Sequence, residues 1–276
     1  MRLESAGVID RADRNKLIRG GAPLQKNTTK ARLKAGETVF GAFVRYPDPG
    51  LIEFLGYQGW DFLVFDAEHG TVEPRDCENM TRAAELRGVT PIVRVTTNQQ
   101  PIILRFLDTG AQGLLVPWVQ TAAEAEAAVR SVKYQPLGIR GLAGVRAADY
   151  GQTQSLGEYT EAANAETLVV LQIETARAVD HLPEILKVGG IDVVFIGPSD
   201  LSQSLGLPGQ AQHPEVQAAM QRIADAVAPT DVALGLMVRN LETARQWRQK
   251  GAQFIAISLE SVLGPAVKGY LQQARE

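Results

Sequence analysis

Residues 168–202 read LVVLQIETARAVDHLPEILKVGGIDVVFIGPSDLS. Two short apolar runs rich in β-branched residues, Thr167–Ile173 and Val193–Ile196, flank an amphipathic segment, Ala178–Val188. A strand, a crossover helix and a second strand in this order make a βαβ unit, which implies a parallel sheet. Both strand runs exit onto polar groups. The first ends on Gln172 and Glu174, and the second runs into Ser199 and Asp200.

Outward from this stretch the pattern repeats. Strands are expected at Thr38–Val44, Phe62–Phe65, Thr90–Val95, Gly113–Val116, Ala233–Met237 and Phe254–Ile257. Helical segments lie between them, at Pro49–Gln58, Arg75–Arg87, Gln99–Thr109, Ala122–Lys133, Pro214–Ala226 and Leu241–Lys250. Eight alternating units point to an α/β fold of the closed (β/α)8 TIM barrel type more than to an open doubly wound sheet. A barrel domain over 36–276 preceded by an extension over 1–35, with one or two short helices, is the expected organisation. One long interruption, Tyr134–Glu166, contains GIRGLAGVRAADYG; a loop of this length is usually functional or builds a subunit contact.

The chain has 276 residues, 45% apolar and 21% charged, with a formal net charge of −3. That balance suits a globular core and gives no basic excess for nucleic acid. The single cysteine, Cys77, has no disulfide or thiolate-site partner, which fits a reducing cytoplasm. The N-terminus is charged and lacks an apolar secretory core, and no run is long enough to span a membrane. A cytoplasmic protein without membrane or nucleic-acid partners is expected.

Catalytic groups in an α/β barrel stand at the carboxyl ends of the strands. FLVF runs into Asp66, Glu68 and His69, and PIVRV carries Arg94 near its end. Glu174 and Asp200 would converge from neighbouring strands, an arrangement suited to a hard cation completed by water and a chelating substrate. The plainer reading makes Glu174 a helix cap or a partner of Arg177, and Ser199 or Asp200 a helix cap. Arg94, in a strand apolar enough to be buried, needs an anion: a neighbouring carboxylate or a substrate oxygen that becomes negative. His69 alone among three histidines follows a strand directly, whereas His181 and His213 lie on or beside helices. Asp66 or Asp108 could orient its ring. Asp61 should lie at the opposite end of the barrel. The strand ends named here carry no lysine, which argues against Schiff-base chemistry and leaves a metal as the electron sink for an enolate. No P-loop or dinucleotide fingerprint is present.

The segments GWDFLVFDAEHG, PIVRV, LDTGAQGLLVPWVQTAAEAEAAV, GIRGLAGVRAADYG, LQIET and IDVVFIGPSDLSQSLG resemble, in order, the HpcH/HpaI aldolase family of metal-dependent (class II) pyruvate aldolases. The resemblance implies Glu174 and Asp200 as metal ligands for Mg²⁺, or for Mn²⁺ or Co²⁺. It implies Arg94 on the keto oxygen, His69 as acid–base group with Asp108 as its partner, and Asp66 at the start of that loop. Gln172 would lie at the metal–substrate site, and the amides of Ser199 and Asp200 would take the pyruvate carboxylate. It further implies a homo-oligomer, commonly a hexamer whose dimers exchange their last helix and whose pockets a neighbouring subunit completes. The expected reaction cleaves a 4-hydroxy-2-oxo acid to pyruvate and an aldehyde. Oxaloacetate decarboxylation through the same enolate, and a non-catalytic scaffold, are the alternatives. The chain departs from the family at GAFVRYPDP, which has Phe43 and Arg45 where many members have a GLW tryptophan motif, and at ISLESVLG, which lacks a common aspartate. Arg45 would meet an anionic acceptor or pair with Asp48.

Overall fold

The short apolar runs are buried along nearly all their length, with Phe40 alone exposed, the condition under which a strand belongs in a parallel barrel wall and not at a sheet edge. In the computed structural model, which describes residues 25–276, the strands are β1 (Val39–Val44), β2 (Phe62–Asp66), β3 (Thr90–Arg94), β4 (Gly113–Val116), β5 (Leu168–Ile173), β6 (Val193–Ile196), β7 (Ala233–Val238) and β8 (Phe254–Ser258). They pair in parallel in chain order and β8 closes on β1.

The helices are α1 (Thr28–Lys34), α2 (Pro49–Tyr57), α3 (Pro74–Arg87), α4 (Gln100–Leu107), α5 (Ala122–Val132), α6 (Leu156–Glu166), α7 (Ala176–Asp180), α8 (Leu182–Ile185), α9 (Pro198–Ser204), α10 (Pro214–Val227), α11 (Leu241–Gln249) and α12 (Leu259–Arg275). Two differ from the sequence expectation. The segment 178–188 is split into α7 and α8 at Pro183, whose ring and missing N–H interrupt a helix. The interruption 134–166 contains α6, started by a reciprocal cap between Ser155 and Glu158.

Side chains alternate along a strand, so one set faces the helices and the other fills the barrel. Inside lie Phe43, Phe62, Val64, Ile92, Leu115, Val170, Phe195 and Phe254. Phe62 and Phe254 stack with centroids 3.9 Å apart, and Phe195 meets Phe254 edge-on at 6.0 Å. Gly41 makes room for this stack: a Cβ there would sit 2.2 Å from the Phe62 ring.

The amino-terminal end of the barrel is closed by α1. Thr29 donates to the carbonyl of Asp61 and to the Thr90 hydroxyl, and Arg32 pairs with Asp61, so Asp61 lies at the end expected of it. Asn27 caps α1, and its amide donates to the carbonyls of Gln112 and Glu166. The portion of the expected N-terminal extension in residues 1–24 lies outside the described residues.

Two lysines are buried at this end. Lys30 pairs with Asp192 at 3.0 Å and donates to the Thr167 carbonyl. Lys133 Nζ donates to the carbonyls of Thr167 (2.7 Å) and Asn164 (2.8 Å), which uses the two N–H bonds of a neutral amine. Burial, with the Lys30 charge beside it, lowers Lys133 from 10.5 to about 7. Between those values the unfolded chain binds more protons than the folded one, so this group makes stability rise with pH. Comparing urea unfolding of wild type with Lys133→Met from pH 7 to 10 should show an excess wild-type slope of up to about 1.4 kcal/mol per pH unit. Parallel profiles would contradict a neutral Lys133.

Candidate functional site

The alternation that fills the barrel also builds its mouth. On β2 the inward positions are Phe62, Val64 and Asp66; on β3 they are Thr90, Ile92 and Arg94; on β5 they are Leu168, Val170 and Gln172, continued by Glu174. The topmost inward position of each is polar, so the sequence places these groups in one layer above the aromatic interior.

Asp66 and Arg94 are direct register partners across β2 and β3. Arg94 Nε donates to Asp66 Oδ1 at 2.9 Å and Nη2 to Oδ2 at 2.6 Å, a bidentate pair. Arg94 Nη1 faces Glu68 Oε2 at 3.1 Å, and the guanidinium lies over the Phe43 ring at 4.9 Å. Burial raises the Asp66 carboxyl, but the hydrogen bonds and charge of Arg94 outweigh it and hold the group below its usual range. Asp66 Oδ1 also accepts the backbone N–H groups of Glu68 and His69, which fixes the turn that carries His69. The His69 ring is half exposed, with Nε2 4.0 Å from Glu68 Oε2.

Glu174 is 1% exposed and has no cationic side chain within 4.0 Å among the described residues. Its Oε1 accepts the Trp118 amide at 2.9 Å and its Oε2 accepts Gln172 Nε2. It does not cap the following helix; Thr175 does, accepting from the Ala178 amide at 3.0 Å. Both plain readings of Glu174 therefore fail. Burial, with Asp200 and Glu68 nearby, raises its carboxyl to about 7. Asp200 sits in the first turn of α9, where Gly197 and not Ser199 or Asp200 is the cap residue. Gly197 is needed here, because a Cβ would come within 2.7 Å of Glu174 Oε2 and 3.0 Å of Gln172 Nε2.

Glu174 and Asp200 are thus the residues that could hold a divalent cation. The fit is electrostatic: a buried carboxylate lacks a protein cation, a second carboxylate is near, and Gln172 Oε1 is buried without a partner. Among the described residues no group of three or more His, Cys, Asp or Glu is placed to hold a metal. A cation here would rely on water and substrate oxygens for its remaining ligands, as Mg²⁺ commonly does.

These side chains open into a cavity of about 380 Å³, whose walls include Arg45, His69, Arg94, Gln172, Ser199 and Asp200. Asp108 stands elsewhere, following α4, with its carboxylate taken by Arg140 Nη2 at 3.0 Å. Within one chain it makes no hydrogen bond to His69. Arg45 pairs with Asp66 (3.3 Å) and Glu260 (3.6 Å), while Asp48, one of the two partners weighed for it, caps α2 instead.

Two contributors were given no role from sequence. Glu68, named there only as a strand-exit group, is one; the alternation 62, 64, 66, 68 signals its inward position. The Trp118 amide is the other, and only the exit of β4 at Val116-Pro117 hints at it. Trp118 holds φ at +57°, a left-handed conformation costly for a large side chain, and so aims its N–H at Glu174. This strain has a direct test. Trp118→Ala and Trp118→Gly both lose the indole, but only glycine relieves the backbone, so the glycine variant should be about 1 kcal/mol more stable in urea unfolding. Equal midpoints would mean the conformation carries no strain.

Three comparisons bear on this geometry. The family model described as HpcH/HpaI aldolase/citrate lyase matches residues 40–263. A hydroxypyruvate/pyruvate aldolase of Sagittula stellata is 40% identical over 241 residues, covering 87% of this chain and 94% of that protein. A 4-hydroxy-2-oxo-heptane-1,7-dioate aldolase of Escherichia coli is 37% identical, covering 86% and 90%. The crystal structure of an HpcH/HpaI aldolase/citrate lyase family protein from Burkholderia cenocepacia J2315 superposes with a TM-score of 0.86 at 35% identity, covering 91% and 100%.

Proposed function

From the premise that the chain belongs to the HpcH/HpaI aldolase/citrate lyase family, we propose how its barrel mouth works as a pyruvate aldolase. The enzyme is a carbon–carbon lyase that cleaves a 4-hydroxy-2-oxo acid to pyruvate and an aldehyde, or joins the two. The observation that carries the reading is that Arg94, Gln172 and Asp200 line one cavity, with the buried Glu174 carboxylate held against Gln172 beside it.

Glu174 and Asp200 would hold a divalent cation, Mg²⁺ first among candidates, which when bound would supply Lewis-acid polarisation of the 2-oxo group. Arg94 is held rigid by Asp66 and directs its remaining N–H bonds to the same oxygen, where negative charge develops. The free amides of Ser199 and Asp200, at the start of α9, take the substrate carboxylate, and Gln172 presents its unpartnered Oε1 beside it. In cleavage, His69 accepts the proton of the 4-hydroxyl as the C3–C4 bond breaks. The bond's electrons pass to C3 and the 2-oxo oxygen, and protonation at C3 gives pyruvate.

The working unit is a homo-oligomer. Support comes from the apolar side chains that α12 leaves exposed, among them Val262, Leu263, Val267 and Tyr270. Asp108, which lies apart from His69 in its own chain, partners the His69 of a neighbouring subunit. A mixture of His69→Ala and Asp108→Ala chains, dissociated and reassembled, should recover activity that neither has alone. Recovery no greater than the sum of the two would place both residues in one chain's site.

The chemistry is tested without any aldehyde. Pyruvate methyl protons followed by NMR in heavy water should exchange with enzyme and Mg²⁺ or Mn²⁺ and stop with chelator. Glu174→Gln should abolish the exchange, and Arg94→Lys should slow it about 100-fold. Wild-type exchange in the Glu174→Gln protein would overturn the ligand assignment.

A further inference from the structure

The long interruption of the barrel, residues 134–166, has no part in the bond cleavage itself, yet it carries an arginine more enclosed than Arg94. The Arg140 side chain is 2% exposed against 6% for Arg94. After α5 the chain turns back on itself, with Ile139 N donating to the Arg130 carbonyl at 2.7 Å and Arg140 N to the Lys133 carbonyl at 2.9 Å. Gly138 permits this turn, since a Cβ there would sit 2.2 Å from the Lys133 carbonyl oxygen. The Arg140 guanidinium lies over the Tyr134 ring at 4.6 Å, and Tyr134 meets Tyr159 of α6 edge-on at 5.7 Å. The two rings form a small apolar cluster with Ala148 and Ala163. Backbone and aromatic contacts within the interruption therefore fix Arg140.

Among the described residues Asp108 is the one carboxylate within 4.0 Å of it, with Nη2 donating to Oδ1 at 3.0 Å. The same segment grips the backbone around Asp108: Ala147 N donates to the Asp108 carbonyl at 3.3 Å and Arg146 Nη1 to the Thr109 carbonyl at 2.7 Å. A buried guanidinium needs an anion, and one oxygen of Asp108 meets that need. The pair is unevenly placed, however. Its cation is enclosed, while the carboxylate side chain is 26% exposed and its Oδ2 accepts no hydrogen bond among the described residues. We propose that Arg140 is a positioning residue for the acid–base pair. It grips Oδ1 of Asp108 and so aims Oδ2 at the His69 of a neighbouring subunit. When His69 takes the 4-hydroxyl proton it becomes a cation, and a carboxylate held at fixed range offsets that charge. This gives the GIRG segment a task and rests on the reading in which Asp108 and His69 pair between chains.

The test follows pyruvate released from 4-hydroxy-2-oxopentanoate. Arg140→Gln should lower kcat about ten- to hundred-fold with KM within about two-fold of wild type. Arg140→Lys should recover part of the loss, because the charge is kept. Arg140→Gln combined with Asp108→Asn should be no slower than Asp108→Asn alone, since a residue acting through Asp108 then has nothing left to act on. Mixing of chains locates the effect. Arg140→Gln chains reassembled with His69→Ala chains should exceed the sum of the two, because a composite site keeps Asp108 and Arg140 together. Reassembled with Asp108→Ala chains they should not. Wild-type kcat in Arg140→Gln, a loss carried in KM, additive costs in the double variant, or any other pattern of recovery overturns the proposal. Failure of His69→Ala and Asp108→Ala chains to restore each other would instead defeat the pairing between chains, and this proposal with it, so the two failures are distinguishable.

Discussion

A guanidinium cannot lie inside a barrel alone. Arg94 is 5% exposed, and its solvation is replaced by Asp66 on the adjacent strand, with which it shares both register and a bidentate hydrogen-bond pair. Much of the mouth is arranged around this pairing. Asp66 also accepts two amides of the turn holding His69, so the same carboxylate that neutralises Arg94 positions the candidate acid–base group. Glu68 supplies a second anion to Nη1, and Phe43 lies against the guanidinium face. Removing Asp66 would take away the bidentate partner of a buried guanidinium and leave it Glu68 alone, a cost of up to about 3–5 kcal/mol.

The fold was legible because a parallel barrel writes itself twice, once in apolar runs and once in the polar groups ending them. The eight strand positions read from sequence agree with the observed ones to about a residue or two, as apolar runs buried on both faces permit. Pro183 was the visible signal that segment 178–188 could not be one helix, and Ser155 with Glu158 was the visible start of α6. Both were local cues outweighed by a length argument, the long interruption being read as loop. Of the candidate site, alternation places Asp66, Arg94, Gln172 and Glu174 on one layer, which single residues in a strand cannot reveal but residues two apart can.

What sequence could not carry was set by backbone and by partners far along the chain. The Trp118 amide that holds Glu174 depends on a φ of +57° and not on the indole, so the residue type gives no sign of its role. The pairing of Arg45 with Glu260 joins β1 to the start of α12 across 215 positions of chain, whereas the nearer Asp48, one of two alternatives from sequence, caps α2. Asp108 shows the same limit from the other side. Its side chain meets Arg140, 32 residues on, and makes no hydrogen bond to His69 within the chain.

The stacked rings of Phe62 and Phe254, with α1 sealed beneath them, leave the barrel interior solid below the polar layer. Among the described residues, the polar layer is therefore reached from the mouth of the barrel. In the proposed reaction the oxo acid, held at the bottom of the cavity, enters before its companion and departs after it, as in a queue in a blind corridor. For bond making, that proposal gives an order of events set by the shape of the cavity. It also sets the direction of interference: an aldehyde arriving early would stand between the solvent and the place where the oxo acid has to sit.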